Sequence, residues 1–293
     1  MSIGRHEWFL AVRNRMRVVI TGANGQLGRA LQEALQEHEL FLIDLPQHDV
    51  TDPRIVGTIA ECSPDLVIHA AAMTDVDGCE RDPDLAFRVN EVGTRNVAEV
   101  CRICDAGLLY VSTDYVFDGS KREPYLESDR PNPVCVYGKS KLAGEVVVRE
   151  LLTRHYVVRT AWLYGPGGRN FVTKILELAA DREELSVVTT EVGSPTYAPD
   201  LAAAIARLIQ HSLYGTYHLV NEGSCSRFEF AERILELAGK THVALQGAQR
   251  YERLAAVPAN AALRNLAAST QLGITLRPWQ EALRAYFEGL DNT

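Results

Sequence analysis

Apolar and polar positions in the first 165 residues alternate between short apolar runs and longer amphipathic stretches. Arg17-Val-Val-Ile-Thr21 is a compact β-branched run and predicts a buried strand. The stretch from Gln26 to Glu37 sets Leu27, Leu31 and Leu35 on one helical face. Further strands are predicted over Leu40–Asp44, over Asp65–His69 after Pro64, over Gly107–Ser112 and over His155–Arg159. Helices are predicted over Leu85–Cys104 and Tyr137–Leu152. Such alternation implies right-handed βαβ units, hence an α/β fold with a doubly wound parallel sheet. The pattern loosens after Tyr164, where Pro166-Gly-Gly168 signals a turn. Helices are expected at 169–181 and 199–211, a strand over Thr216–Leu219, and a helix at 227–238 capped by Ser226.

Between the first strand and the first helix lies Gly22-Ala-Asn-Gly25-Gln-Leu-Gly28. Gly22 suits the tight turn, Gly25 lets backbone approach a pyrophosphate, and Gly28 permits close helix–sheet packing. A pyrophosphate then meets the free N–H groups and positive dipole end of the helix. The strand–loop–helix context makes this a dinucleotide site of a Rossmann-type fold, with Asn24, Gln26 and Leu27 also expected against the cofactor. Asp44 ends the second strand and can accept hydrogen bonds from an adenosine ribose while repelling a 2′-phosphate. It favours NADH over NADPH, as does the absence of Lys and Arg from 40–50. Asp49 and Val50 are expected to bracket the adenine.

Tyr137 and Lys141 form a YxxxK pair, and positions i and i+4 share a helical face. A phenol titrates near pH 10 and is a poor acid–base group at neutrality, and a nearby ammonium lowers that value. The lysine can also hold a nicotinamide ribose. Thr113, at the end of the fourth strand, can join Tyr137 in donating to a developing alkoxide.

Composition narrows the alternatives. The chain has 293 residues, 46% hydrophobic and 23% charged, which is ordinary for a globular protein large enough to bury a sizeable core. With 30 Lys plus Arg against 38 Asp plus Glu, the net charge of -8 lacks the footprint of a nucleic-acid binder. No run approaches the roughly 18 apolar residues of a membrane span, and Trp8–Val12 is too short for a signal peptide. A cytoplasmic protein with no membrane partner is expected. Of six cysteines, Cys101 and Cys104 form a CxxC, but no second half of a zinc site accompanies it, so no metal is expected. The expected layout is an N-terminal extension over 1–16 and a dinucleotide-binding domain over 17–165. A smaller, mainly substrate-binding α/β lobe follows over 166–293, with some segments returning to the first domain.

Together these residues resemble the extended short-chain dehydrogenase/reductases, and within them the dTDP-4-dehydrorhamnose reductase branch, from about Arg17 to Leu290. Thr113, Tyr137 and Lys141 match the catalytic set, Asn90 the supporting helix asparagine, and His69-Ala70-Ala71-Ala72 the segment beside the cofactor. Three blocks resemble signatures of the branch: Val111-Ser-Thr-Asp-Tyr-Val-Phe-Asp-Gly119, Arg159-Thr-Ala-Trp-Leu-Tyr-Gly165 and Gly193-Ser-Pro-Thr-Tyr-Ala198. The resemblance implies reduction by NADH or NADPH of a dTDP-linked 4-keto-6-deoxy sugar, by a monomer or homodimer. It implies sugar contacts from Thr74, Thr113, Asp114, Tyr115, Val116, Phe117, Tyr137, Trp162 and Asn170. The chain departs from the branch at Thr190-Glu191 and Val257-Pro258, near the nucleotide end of the site. The resemblance leaves two other activities open. One is another nucleotide-sugar reductase or epimerase of the same type. The other is a non-catalytic regulatory subunit like that of methionine adenosyltransferase.

Overall fold

The computed structural model describes residues 15–290, so the expected N-terminal extension lies outside it except for Arg15 and Met16. Five strands, β1 (Arg17–Thr21), β2 (Glu39–Ile43), β3 (Leu66–His69), β4 (Gly107–Thr113) and β5 (His155–Thr160), form one parallel sheet with the strand Gly215–His218. Across the sheet the order is Gly215–His218, β5, β4, β3, β1, β2. The apolar runs of β1, β3 and β4 sit inside it, covered on both faces, as near-continuous apolar strands must be. Strand β2 lies at one edge and leaves Leu42 exposed. Strand order reverses between β1 and β3, which opens a crevice at their carboxyl ends.

The helices of the first half are α1 (Gln26–Ala34), α2 (Ile55–Glu61), α3 (Val76–Arg81), α4 (Pro83–Phe87), α5 (Thr94–Cys104) and α6 (Val136–Leu151). Those of the second half are α7 (Phe171–Asp181), α8 (Ala198–Leu208), α9 (Arg227–Leu237), α10 (Leu266–Leu272) and α11 (Trp279–Leu290). Leu27, Leu31 and Leu35 bury against one sheet face with Leu201, Ile205 and Leu208 of α8. Ile59, Val97, Cys101 and Val148 pack the other face from α2, α5 and α6. A separate apolar cluster holds α7, α9 and α11 together through Tyr164, Val172, Phe230, Trp279 and Leu283. The chain from α8 to the strand Gly215–His218 returns to the main sheet.

The helix expected over 85–104 is broken into α4, a π-helical turn Arg88–Gly93 and α5. The wide turn carries Asn90, and its Gly93 packs so close to Val50 that a Cβ there would lie 2.9 Å from Val50 Cγ2. Apolar spacing continues through the turn, so a 3.6-residue period cannot reveal it. Helix α1 stops at Ala34, short of the expected Glu37. The parallel strand pair Glu184–Val188 and Ala244–Ala248 was not signalled, because its second member is mostly exposed.

Candidate active site

A cleft of 860 Å³ opens at the carboxyl ends of the central strands. Its floor at β1 is the glycine loop. Gly22 has φ +70°, and a Cβ on it would lie 2.7 Å from Ala71 N. A Cβ on Gly28 would lie 2.2 Å from the Gly22 carbonyl oxygen. Gly25 caps α1 without a side-chain hydrogen bond, which leaves first-turn N–H groups free for an anion. This cradle fits the pyrophosphate of a dinucleotide. Gly28→Ala is therefore expected to weaken dinucleotide binding about 10- to 100-fold, equivalent to an overpacking cost of about 1–3 kcal/mol. Titration of cofactor fluorescence checks it, and unchanged affinity would contradict the assignment.

Asp44 follows β2 immediately, and its Oδ2 accepts the Asn24 N–H at 2.7 Å while Oδ1 accepts that of Leu45 at 2.7 Å. Asn24 is thus a partner of Asp44 and is not a cleft wall residue. Gln26, Leu27, Asp44, Asp49 and Val50 line the cleft, and His48, absent from the sequence reading, lines it too. Ala70, Ala71 and Ala72, just after β3, line it too. Beneath them His69 is fully buried, with Nδ1 2.7 Å from Thr21 Oγ1 and Nε2 3.2 Å from Thr94 Oγ1. Thr94 Oγ1 donates to the Asn90 carbonyl, so it accepts from His69 Nε2–H. Burial, with the Lys141 charge, lowers the imidazole to about 3 and keeps it neutral.

Asn90 does not line the cleft. Its Oδ1 accepts the Met73 N–H at 2.9 Å, and its Nδ2 donates to Met73 O and Ser140 Oγ. It ties the segment after β3 to α6, and α6 carries Tyr137 and Lys141.

Tyr137 and Lys141 stand in the first turns of α6, whose N-cap is Cys135. Both line the cleft with Thr113, the last residue of β4. Lys141 Nζ donates to Val111 O at 2.7 Å and sits 4.2 Å from the Tyr110 ring centroid. Burial lowers Lys141 to about 7, against the Glu145 carboxylate. The expected lowering of Tyr137 by Lys141 is not what dominates. Burial pushes this phenol upward, with the Thr113 hydroxyl opposing, because the ring is enclosed and the ammonium is held by Val111. Tyr137 is accordingly a neutral donor.

Trp162 lines the far end at φ +43°, a costly backbone conformation for a bulky residue. A Cβ on Gly193 would lie 2.3 Å from its Cε2, so the glycine makes room for the indole. On the indole sits Arg227, with Cζ 3.5 Å from the ring centroid. Arg227 also lies 3.9 Å from Glu191, which pairs with Arg253. Thr74, Asp114 and Tyr115 line the same cleft. Val116 and Phe117 do not; both are fully buried, and Phe117 stacks on Tyr125 at 4.2 Å. Asn170 caps α7, and its Nδ2 donates to Gln26 Oε1 at 2.9 Å, joining α7 to the glycine loop. Sequence reading missed Arg227 and Arg169, both at the cleft wall, since an arginine beside a helix start follows no periodic pattern.

This sheet, with a glycine cradle and a Thr-Tyr-Lys cleft at its carboxyl edge, defines a nicotinamide-dependent oxidoreductase of the extended short-chain dehydrogenase/reductase class. The chain belongs to the RmlD substrate binding domain family, whose model matches residues 16–292. It is 41% identical over 276 residues to a dTDP-4-dehydrorhamnose reductase of Mycolicibacterium smegmatis, covering 92% of this chain and 84% of that protein. It is 38% identical to a spore coat polysaccharide biosynthesis protein of Bacillus subtilis, covering 93% of this chain and 97% of the relative. The crystal structure of dTDP-4-dehydrorhamnose reductase from Bacillus anthracis in complex with NADP superposes with a TM-score of 0.90 at 42% identity, covering 94% of this chain and 99% of the other.

Proposed function

We propose that this protein reduces the C4 keto group of dTDP-4-dehydro-6-deoxy-L-mannose to give dTDP-L-rhamnose, using a reduced nicotinamide dinucleotide. One observation carries the reading: Thr113, Tyr137 and Lys141 line a single cleft with the glycine cradle. The reduced nicotinamide, when bound, supplies the hydride. Tyr137, neutral in its enclosed setting, gives its proton to the sugar oxygen as that oxygen becomes an alkoxide. Thr113 polarises the carbonyl. Lys141 orients the nicotinamide ribose and offsets the charge left on Tyr137. Thr74, Tyr115 and Trp162 hold the sugar. In this scheme residues 17–165 carry the cofactor and the sugar contacts just named, and the chain after 165 adds Arg169 and Arg227 to the cleft wall.

The adenosine end favours NADH. Asp44 and Asp49 line it, and no Lys or Arg occurs from 40 to 50 to pair with a 2′-phosphate. A carboxylate facing that phosphate costs roughly 1 kcal/mol in water-like surroundings, so kcat/KM for NADH should exceed that for NADPH about fivefold. Parallel absorbance assays with the two cofactors and the 4-keto sugar test both points. Absence of cofactor oxidation would refute the reductase reading, and an NADPH advantage would refute the assigned role of Asp44. All six cysteines are free, which suits a reducing compartment, and we assign the protein to the cytoplasm.

A further inference from the structure

Lys141 is a buried ammonium, and among the described residues no acidic side chain forms an ion pair with it. Glu145, one turn further along α6, engages Ser112, Arg159 and Arg149 instead. Tyr110 supplies the missing partner. It stands next to Val111 on β4 and is fully buried. Lys141 Nζ sits over its ring, 4.2 Å from the centroid, while the Tyr110 hydroxyl donates to the Lys141 backbone carbonyl at 3.2 Å. One side chain thus holds both ends of the lysine. Gly144 makes room for it, because any Cβ there would collide with the Tyr110 hydroxyl. The His69 ring lies 5.7 Å from that of Tyr110. The titratable groups around Lys141 are Tyr110 from β4, His69 from β3, and Tyr137 and Glu145 from its own helix. Of these only Glu145 is charged at neutral pH. Burial works against the ammonium, and an aromatic face attracts a cation most strongly away from water.

We infer that Tyr110 is a positioning residue for the reaction: its ring face carries the Lys141 ammonium and its hydroxyl holds the Lys141 backbone, so that a charged lysine stands at the cofactor ribose. The inference rests on the reductase reading. Tyr110 does not line the cleft, so it acts through Lys141 alone. Without the ring, the charged lysine loses an attraction that the neutral amine does not feel. Lys141 then releases its proton at lower pH. The protonated lysine is the working form, so the alkaline limb of kcat/KM moves down in pH.

Tyr110→Leu and Tyr110→Phe, compared with the wild type across pH, test this. The leucine variant removes the ring, and its alkaline limb should fall about one pH unit lower. The phenylalanine variant keeps the ring, and its limb should stay at the wild-type position. A role in packing alone would lower kcat/KM at every pH and leave the limb in place. That result, or equal shifts in the two variants, would overturn the inference while leaving the reductase reading intact; absence of wild-type turnover would overturn both. Should the leucine variant not fold, NMR of the wild-type and phenylalanine proteins labelled with carbon-13 at lysine Cε decides. The Lys141 signal is the one lost in Lys141→Met. The inference expects its protons upfield of the other lysines in both proteins, shifted by the ring beneath them. A signal at the ordinary lysine position would refute it.

Discussion

Tyr137→Phe is expected to lower kcat/KM for the 4-keto sugar about 10²–10⁴-fold, the usual contribution of a positioned acid. Two neighbouring donors are engaged elsewhere. Lys141 is engaged by Val111 O and the Tyr110 ring, and the Thr113 hydroxyl is spent on Asp114 in the free site. The ring of Tyr137 packs edge-on to Tyr115 at 5.4 Å, so phenylalanine keeps the fit and removes only the hydroxyl. Dinucleotide affinity should fall by no more than the single hydrogen bond lost, about tenfold. Steady-state kinetics beside cofactor titration separate the two effects. Turnover equal to the wild type would remove Tyr137 from the proposed chemistry.

Glu145→Gln is expected to destabilise the fold by about 3–5 kcal/mol, the cost of breaking a buried ion pair from one side. Glu145 is fully buried on α6, one turn beyond Lys141. Its Oε1 accepts Ser112 Oγ at 2.6 Å and Arg159 Nε at 2.8 Å, and its Oε2 accepts Arg159 Nη2 at 2.8 Å and Arg149 Nη2 at 2.7 Å. Burial pushes its carboxyl up, but Arg159, Arg149 and Ser112 together outweigh this and hold it below the ordinary range. With the charge gone, Arg159 at 2% exposure is left without its counter-ion. Urea melts measure the loss, and coincident melts would show that the pair contributes nothing net. A functional shift should accompany the loss. The Glu145 carboxylate raises the Lys141 pKa against burial, so its removal moves Lys141 further down. Lys141 then deprotonates at lower pH, and the alkaline limb of kcat/KM should move to lower pH in the variant.

The central strands were legible because β1, β3 and β4 are buried on both faces and must be continuously apolar. The glycine loop was legible because its steric demands are local: a turn at Gly22 and a close approach at Gly28 need no knowledge of the rest of the chain. Tyr137 and Lys141 were legible from helical spacing joined to their place at the start of the helix after β4. What escaped depends on long-range contact. Asn90 was named only through the resemblance, and its bonds to Met73 and Ser140 form through a π turn that leaves no periodic trace. Arg227 comes to the cleft from a helix that starts more than a hundred residues after β4. In the block after Thr113 the chain leaves the cleft at Val116, so Asp114 and Tyr115 line the wall while Val116 and Phe117 enter the core. A contiguous motif cannot separate wall from core. The upward shift of Tyr137 likewise follows from enclosure, which sequence spacing does not report.

The central claim is that hydride passes to C4 of a nucleotide-linked keto sugar in this cleft. Incubation of the purified protein with dTDP-4-dehydro-6-deoxy-L-mannose and reduced cofactor deuterated at the transferable nicotinamide position tests it most directly. The account predicts dTDP-L-rhamnose bearing one deuterium at C4, seen by NMR. Product without deuterium at C4, or turnover that needs no added reduced cofactor, would contradict it.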